Sequence, residues 1–226
     1  MKRVIITWGS AWLWLAMSSA LVQKWYEVVC LSRTKPNIPV IHVPVDLLSD
    51  ESIQQAVATI KNDYATFDVL ILNAGGWEIQ WFGSFTREAI DNTISLDLTS
   101  QIKLVNWLLE TIKANGADII DIGATIAFKA NEHMPVYSMA KWGMRWFVEN
   151  LRAYLKSTPC RVIAVHPWWM DTESNVGPHG RETIVAQNTW KTLSTMMSTD
   201  AIAAFAVSLL DLPKNIEISE AIINKK

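Results

Sequence analysis

Seven short apolar, β-branched runs, at positions 4–7, 28–31, 40–43, 69–72, 119–122, 162–165 and 216–223, alternate with six helical patterns at 13–24, 51–64, 86–94, 99–115, 136–155 and 200–210. Continuous apolar runs of this length are strands covered on both faces, and helices between them impose crossovers that keep neighbouring strands parallel. The pattern predicts an α/β chain: a single-domain, Rossmann-like, doubly wound parallel sheet of about seven strands with helices on both faces. The 226 residues fit one domain over positions 1–226.

The net charge of -2 gives no basic excess for nucleic acid or a membrane surface. Neither a leader peptide nor an apolar run of ~18 residues is present, which points to the cytoplasm. Cys30 and Cys160 lack metal-ligand or redox spacing and read as buried, reduced thiols, with no metal site. Residues 171–198 have no clear period and are long for a plain loop, so they are a candidate substrate lid. Met196 and Met197 there would shape a pocket or pack.

In a doubly wound sheet, ligands gather at the carboxyl ends of the strands, here after Thr7, Leu31, Leu72, Ile122 and His166. Reading those ends in order gives Thr7-Trp8-Gly9-Ser10-Ala11-Trp12-Leu13-Trp14, then Ser32-Arg33, Asp46-Leu47 and Asn73-Ala74-Gly75. Tyr137-Ser138-Met139-Ala140-Lys141 opens a long helix, and Pro167-Trp168-Trp169-Met170-Asp171-Thr172 follows the sixth strand. Each signal is weak alone, but their order and placement resemble the short-chain dehydrogenase/reductase family over nearly the whole chain. The resemblance implies hydride transfer between NAD(P) and a small alcohol or carbonyl.

Where that family has Thr-Gly-x-x-x-Gly-x-Gly, this chain has Trp8, Trp12 and Trp14. Glycine belongs there because the turn is tight, the backbone approaches a pyrophosphate, and the helix packs close to its strand. Three indoles would fill the space of the dinucleotide. Trp168 stands for the glycine of the family's Pro-Gly motif, Trp25 for a helix C-cap glycine, and Trp146 for a small residue. With 12 Trp and only 9 Gly, the chain departs from the usual ~7% glycine, and glycine at these six positions would restore it. The pattern is that of a gene in which UGA encodes glycine, read as tryptophan. The bland alternative is a genuinely tryptophan-rich protein.

By the resemblance, Thr7, Trp8, Gly9, Ser10, Trp12 and Leu13 form the phosphate turn, Asp46 and Leu47 flank the adenine, and Asn73, Ala74 and Gly75 line the path to the nicotinamide ribose. Pro167 and Thr172 hold the nicotinamide end. Ser32 replaces the acid of NAD-preferring relatives, and a guanidinium at Arg33 can pair with a 2′-phosphate, so NADP(H) is preferred and NAD(H) possible. Tyr137 and Lys141 are four apart on one helix face. The resemblance makes the phenol the acid/base, with the ammonium lowering its pKa from the ordinary ~10 and holding the ribose hydroxyls.

Two positions depart from the family. Ala124 stands where a serine usually donates to the substrate oxygen, with Thr125 one residue away. Asp97 replaces an asparagine, and either accepts hydrogen bonds at the site or caps the helix from Thr99. The expectation is an NADP(H)-dependent oxidoreductase for a small carbonyl or alcohol, forming a homodimer or homotetramer through residues 99–115 and 136–155. The alternative is a catalytically silent dinucleotide-binding or scaffold protein, which Ala124 favours. A sugar-nucleotide epimerase is disfavoured because it needs a larger C-terminal substrate domain.

Overall fold

The computed structural model describes residues 1–7, 11–76, 82–170 and 196–226, except for the side chains of residues 11 and 12. Seven strands form one parallel sheet: β1 (Arg3–Thr7), β2 (Glu27–Ser32), β3 (Ile41–Pro44), β4 (Val69–Leu72), β5 (Asp118–Ile122), β6 (Val162–Pro167) and β7 (Glu220–Ile223). Their order is β3-β2-β1-β4-β5-β6-β7, and all pairs are parallel, as the strand–helix alternation predicts. The chain reverses its direction of travel between β1 and β4, which opens a crevice at their carboxyl ends.

Period-two alternation sorts the strand side chains onto two cores. Ile5, Val29, Leu31, Leu70, Leu72, Ile119 and Val162 face α2 (Asp50–Asp63), α4 (Ser100–Asn115) and α5 (Pro135–Leu155). Val4, Ile6, Val28, Cys30, Ile71, Ile120 and Val165 face α1 (Ala11–Gln23) and α6 (Thr199–Ser208). A fully buried aliphatic side chain is worth ~1.5–3 kcal/mol, so these two apolar layers hold the sheet between the helices. Between β4 and α4 lies α3 (Arg87–Ile94), capped by Thr86, whose hydroxyl accepts from the Ala89 amide. Cys30 and Cys160 are both buried and free, as expected of reduced thiols.

Helices α1 and α4 end in the same way. In α4 the Gly116 amide donates to Lys113 and the Ala117 amide to Ile112, with Gly116 left-handed at φ 58°. In α1 the Trp25 amide donates to Val22 and the Tyr26 amide to Leu21, with Trp25 at φ 63°. Both are Schellman stops, which need a left-handed residue and normally take glycine. Trp25 is the one non-glycine with positive φ among the described residues.

Three expectations are corrected. The last strand starts only at Glu220, because the Ile216 amide closes a turn onto Pro213 and the Ile216 carbonyl accepts from Arg161 instead of a strand. The helix expected from residue 99 is preceded by a π turn, Ser95–Thr99. Trp14 lies in the α1–sheet core at 4% exposure, so its indole occupies apolar packing space rather than the dinucleotide path. Residues 171–195 of the expected lid lie outside the described residues, but Met196 and Met197 are buried packing residues, and the Met197 amide donates to the Trp169 carbonyl.

Candidate active site

The crevice is built from the end of β1. Thr7 is fully buried, and its hydroxyl oxygen accepts from the Asn73 amide at 2.9 Å and the Ala74 amide at 3.0 Å. The Asn73 side chain donates back to the Thr7 carbonyl, and Gln101 of α4 donates to the Ala74 carbonyl. Thr7, Asn73 and Ala74 thus lock the ends of β1 and β4 together and fix where Gly75 and Gly76 run. Gln101 is a member of this lock that sequence reasoning missed.

At the end of β2, the Ser32 hydroxyl is buried and donates to the Thr34 carbonyl, while Arg33 is exposed. Arg33 makes no ion pair among the described residues. Asp46 accepts from the Leu48 amide in a local turn, and Leu47 is core. Pro167 closes β6 opposite Ile223. Leu13 is buried in the α1 core, and Trp168 packs against that core with the Lys129 ammonium 4.3 Å from its ring centre. Trp8, Gly9, Ser10, Thr172, Trp77, Trp81 and Trp190 lie outside the described residues, as does the Trp12 side chain.

On the other side of Gly75 lies a buried charged cluster. Lys141 and Tyr137 project from one face of α5, the ammonium 5.7 Å from the phenol ring centre. Asp97 projects from the π turn, a local insertion that recurs at functional sites, and is 1% exposed. Its Oδ1 lies 3.1 Å from the Lys141 Nζ, and its Oδ2 accepts from the Gly76 amide at 3.1 Å. Asp97 makes no cap bond to the following helix, so the capping alternative fails. A Cβ on residue 75 would lie 2.7 Å from that Oδ1 and 2.9 Å from that Nζ, so only glycine lets the pair close here.

Ala124 precedes the 3₁₀ turn Thr125–Phe128 in extended conformation, and its carbonyl accepts from the Ala127 amide. Thr125 is buried. The sequence reading passed over Asp121, whose carboxylate is 3% exposed on the α5 face of β5; its Oδ2 has no hydrogen-bond partner among the described residues. A carboxylate inside an otherwise apolar strand, Asp-Ile-Ile-Asp-Ile, was the available signal. Farther along the same face, fully buried His166 sits 3.0 Å from Glu220, which also takes a two-pronged contact from Arg145.

Burial pushes the Tyr137 phenol up, and although Lys141 lowers it, Asp97 and Asp121 raise it, leaving it at about 12. Burial alone would lower Lys141, but Asp97, Tyr137 and Asp121 hold it protonated well above its ordinary value. Burial raises Asp121 to about 6, against the pull of Lys141. Burial also raises Asp97, with Lys141 and the Gly76 amide opposing it. We take Asp97 and Lys141 as a charged pair, because their polar atoms are in direct contact.

A sheet of order 3-2-1-4-5-6-7, with its lock at the switch point and a Tyr–Lys pair beside it, defines a doubly wound dinucleotide-fold protein. Residues 2–179 match the family described as short chain dehydrogenase. The chain belongs to that oxidoreductase family. It is 26% identical over 189 residues to carbonyl reductase family member 4 of Danio rerio, covering 78% of each chain. To trans-4-hydroxycyclohexanecarboxylate dehydrogenase of Sinomonas cyclohexanicum it is 28% identical over 145 residues, 61% of this chain and 53% of that one. The fold is also that of an alcohol dehydrogenase from the archaeon Thermococcus sibiricus, solved with 5-hydroxy-NADP, with TM-score 0.85, 19% identity, and 99% of this chain and 96% of that chain covered.

Proposed function

We propose that this chain is an NADP(H)-dependent oxidoreductase that interconverts a small carbonyl and its alcohol, with Tyr137 as the proton donor and acceptor. The supporting observation is the Tyr137–Lys141–Asp97 cluster beside Gly75, at the edge of the crevice between β1 and β4. The described residues fit a dinucleotide. The β1–β4 lock leaves Gly75 and Gly76 without side chains along the crevice, and Arg33 stands exposed at the end of β2, where a 2′-phosphate would lie. Lys141 and Asn73 would hold the nicotinamide ribose, Asp46 and Leu47 the adenine, and Pro167 and Thr172 the nicotinamide. Bound there, NADPH supplies a hydride.

The rest is done by this chain's own groups. Tyr137 gives its phenolic proton to the substrate oxygen as negative charge builds there, and Lys141 stabilises the phenolate left behind. Asp97 orients Lys141 by direct contact. Ala124 offers no donor to the substrate oxygen, and the loss of one such donor typically costs about 10²–10³ in rate. That observation favours the second reading, a silent dinucleotide-binding protein. The outer face of α5 exposes Met139 and Trp142, which supports a homodimer or homotetramer built on α4 and α5.

The test is NADPH oxidation over a panel of small carbonyls, on the chain as written and on a form with glycine at positions 8, 12, 14, 25, 146 and 168. Turnover abolished by Tyr137→Phe is expected. Binding of NADPH with no turnover of any carbonyl would establish the silent reading instead.

A further inference from the structure

We propose that Phe128 is a positioning residue: its ring is clasped between Arg145 of α5 and His166 of β6, and the clasp holds the segment Ala124–Phe128 where it walls the substrate side of the site. The inference rests on the reading of Tyr137 as the proton donor and adds what fixes the wall opposite the substrate oxygen.

The segment leaves β5 through Gly123 and makes a single 3₁₀ turn. In it the Ala127 amide donates to the Ala124 carbonyl at 3.0 Å, while the Lys129 amide reaches the Ile126 carbonyl only at 3.5 Å. Ile126 and Ala127 are buried, but Phe128 is 38% exposed, so burial does not fix the far end of the turn. Directed contacts do. The Arg145 guanidinium carbon lies 4.5 Å from the centre of the Phe128 ring, and the His166 ring meets that ring edge to face at 4.9 Å and 89°. A cation over an aromatic face and a T-shaped ring pair each favour one placement of the ring over its neighbours.

Both sides of the clasp are themselves held. Arg145 donates to Glu220 of β7 through Nε at 2.7 Å and Nη2 at 3.1 Å, and His166 Nε2 lies 3.0 Å from the same Oε1 that takes the Arg145 Nε. The contacts therefore close on themselves, from Phe128 to Arg145, Glu220, His166 and back, and draw the turn, α5, β7 and β6 together. Gly123 is part of the fit. A Cβ there would lie 2.3 Å from His166 Nδ1 and 2.6 Å from its Cε1, so a larger residue would drive the imidazole from its place.

The clasp also has a direct line to the chemistry. Tyr137, Lys141 and Arg145 follow one another at four-residue spacing on one face of α5, so the helix that carries the proton donor also grips the substrate wall. Misplacing a reacting group by about 1 Å can cost about 10²-fold in rate. Phe128, Arg145, Glu220 and His166 are not among the residues assigned to the dinucleotide, so loosening the wall should slow reduction without weakening NADPH.

The first measurement needs neither cofactor nor substrate. Hydrogen exchange of the full chain, read by mass spectrometry on peptides spanning 124–130, should quicken about tenfold in Phe128→Leu, which keeps an apolar side chain but removes the aromatic face. Phe128→Tyr keeps that face and should exchange like the parent. Gly123→Ala, which displaces His166 and leaves Phe128 in place, should also quicken it; if that variant does not fold, the Phe128 pair serves alone. Peptides from β4 and α4 should exchange at parental rates, which separates a loosened turn from general destabilisation. The second measurement is carbonyl reduction, in which Phe128→Leu should lower kcat about tenfold or more with NADPH affinity unchanged, and Phe128→Tyr should restore it. Exchange unmoved in folded Phe128→Leu, or quickened equally in Phe128→Tyr, would overturn the clasp. An unchanged kcat in a variant whose turn is loosened would overturn its positioning role. A parent that reduces no carbonyl would remove the reductase reading and the positioning role together, with exchange alone then deciding whether the clasp exists.

Discussion

Trp25→Gly should make the protein more stable. Trp25 is held at φ 63° by the Schellman bonds from its own amide and that of Tyr26. A side chain in that region sets Cβ against its own backbone at a cost of ~1–2 kcal/mol, which glycine avoids. Against this stands whatever the indole contributes by packing, and at 83% exposure that is little. Glycine loses more backbone entropy on folding, which returns a few tenths of a kcal/mol to the unfolded chain. The net gain is about 1 kcal/mol, or about 2–4 °C in Tm for a chain of this size. Thermal unfolding followed by circular dichroism reads it directly. Trp25→Ala is the decisive control, because it removes the indole but keeps the Cβ, and it should gain nothing. Equal Tm values for the glycine and alanine variants would refute the backbone argument. Gly116 gives the converse case. Gly116→Ala should lose more than 1 kcal/mol, because an added Cβ would also lie 2.9 Å from the Pro159 ring.

At the opposite end of the sheet, buried Asp118 takes Arg161 through both carboxylate oxygens and Lys214 through one, and Arg161 also donates to the Leu212 and Ile216 carbonyls. Asp118→Ala would leave the Arg161 charge buried and unpaired and should cost about 3–5 kcal/mol by urea denaturation. Burial raises Asp118, but hydrogen bonds from Arg161 and Lys214 bring it below its ordinary value. Its stabilisation is therefore complete above the unfolded carboxylate range near 4 and is lost as pH falls through the lower folded value, so Asp118→Asn should flatten the acid limb of the Tm–pH curve. In the six-site glycine form, Arg33→Ala should weaken NADPH by about 1.5–3 kcal/mol in a fluorescence titration and leave NADH nearly unchanged; equal losses would show that Arg33 does not read the phosphate. Ala124→Ser should raise kcat for carbonyl reduction by up to about 10²–10³, whereas little change together with a large loss in Thr125→Val would assign the donor to Thr125. Sequencing the gene should show UGA at codons 8, 12, 14, 25, 146 and 168, and UGG at most of them would establish the tryptophans as genuine.

The strands, the parallel sheet they form and the placement of the site at its carboxyl ends were legible in the sequence, whereas the strand order came from the tertiary structure. Runs such as Val-Leu-Ile-Leu at β4 cannot be exposed, and the helical patterns between the runs leave a parallel sheet as the way to bury them. The Tyr137–Lys141 spacing is likewise local, because four residues on a helix always share a face. Even the stop at Trp25 could be anticipated from its place between α1 and β2. For Asp97 the sequence left two roles open, because whether it caps a helix or meets a lysine 44 positions away depends on a π turn that tertiary packing stabilises. Asp121 and Gln101 were missed for the same reason, since a side chain's role in a buried site depends on which distant groups arrive opposite it. The direction of the Tyr137 shift shows this most clearly. Sequence supplies the nearby ammonium, but only the folded chain determines that two carboxylates and the loss of water outweigh it.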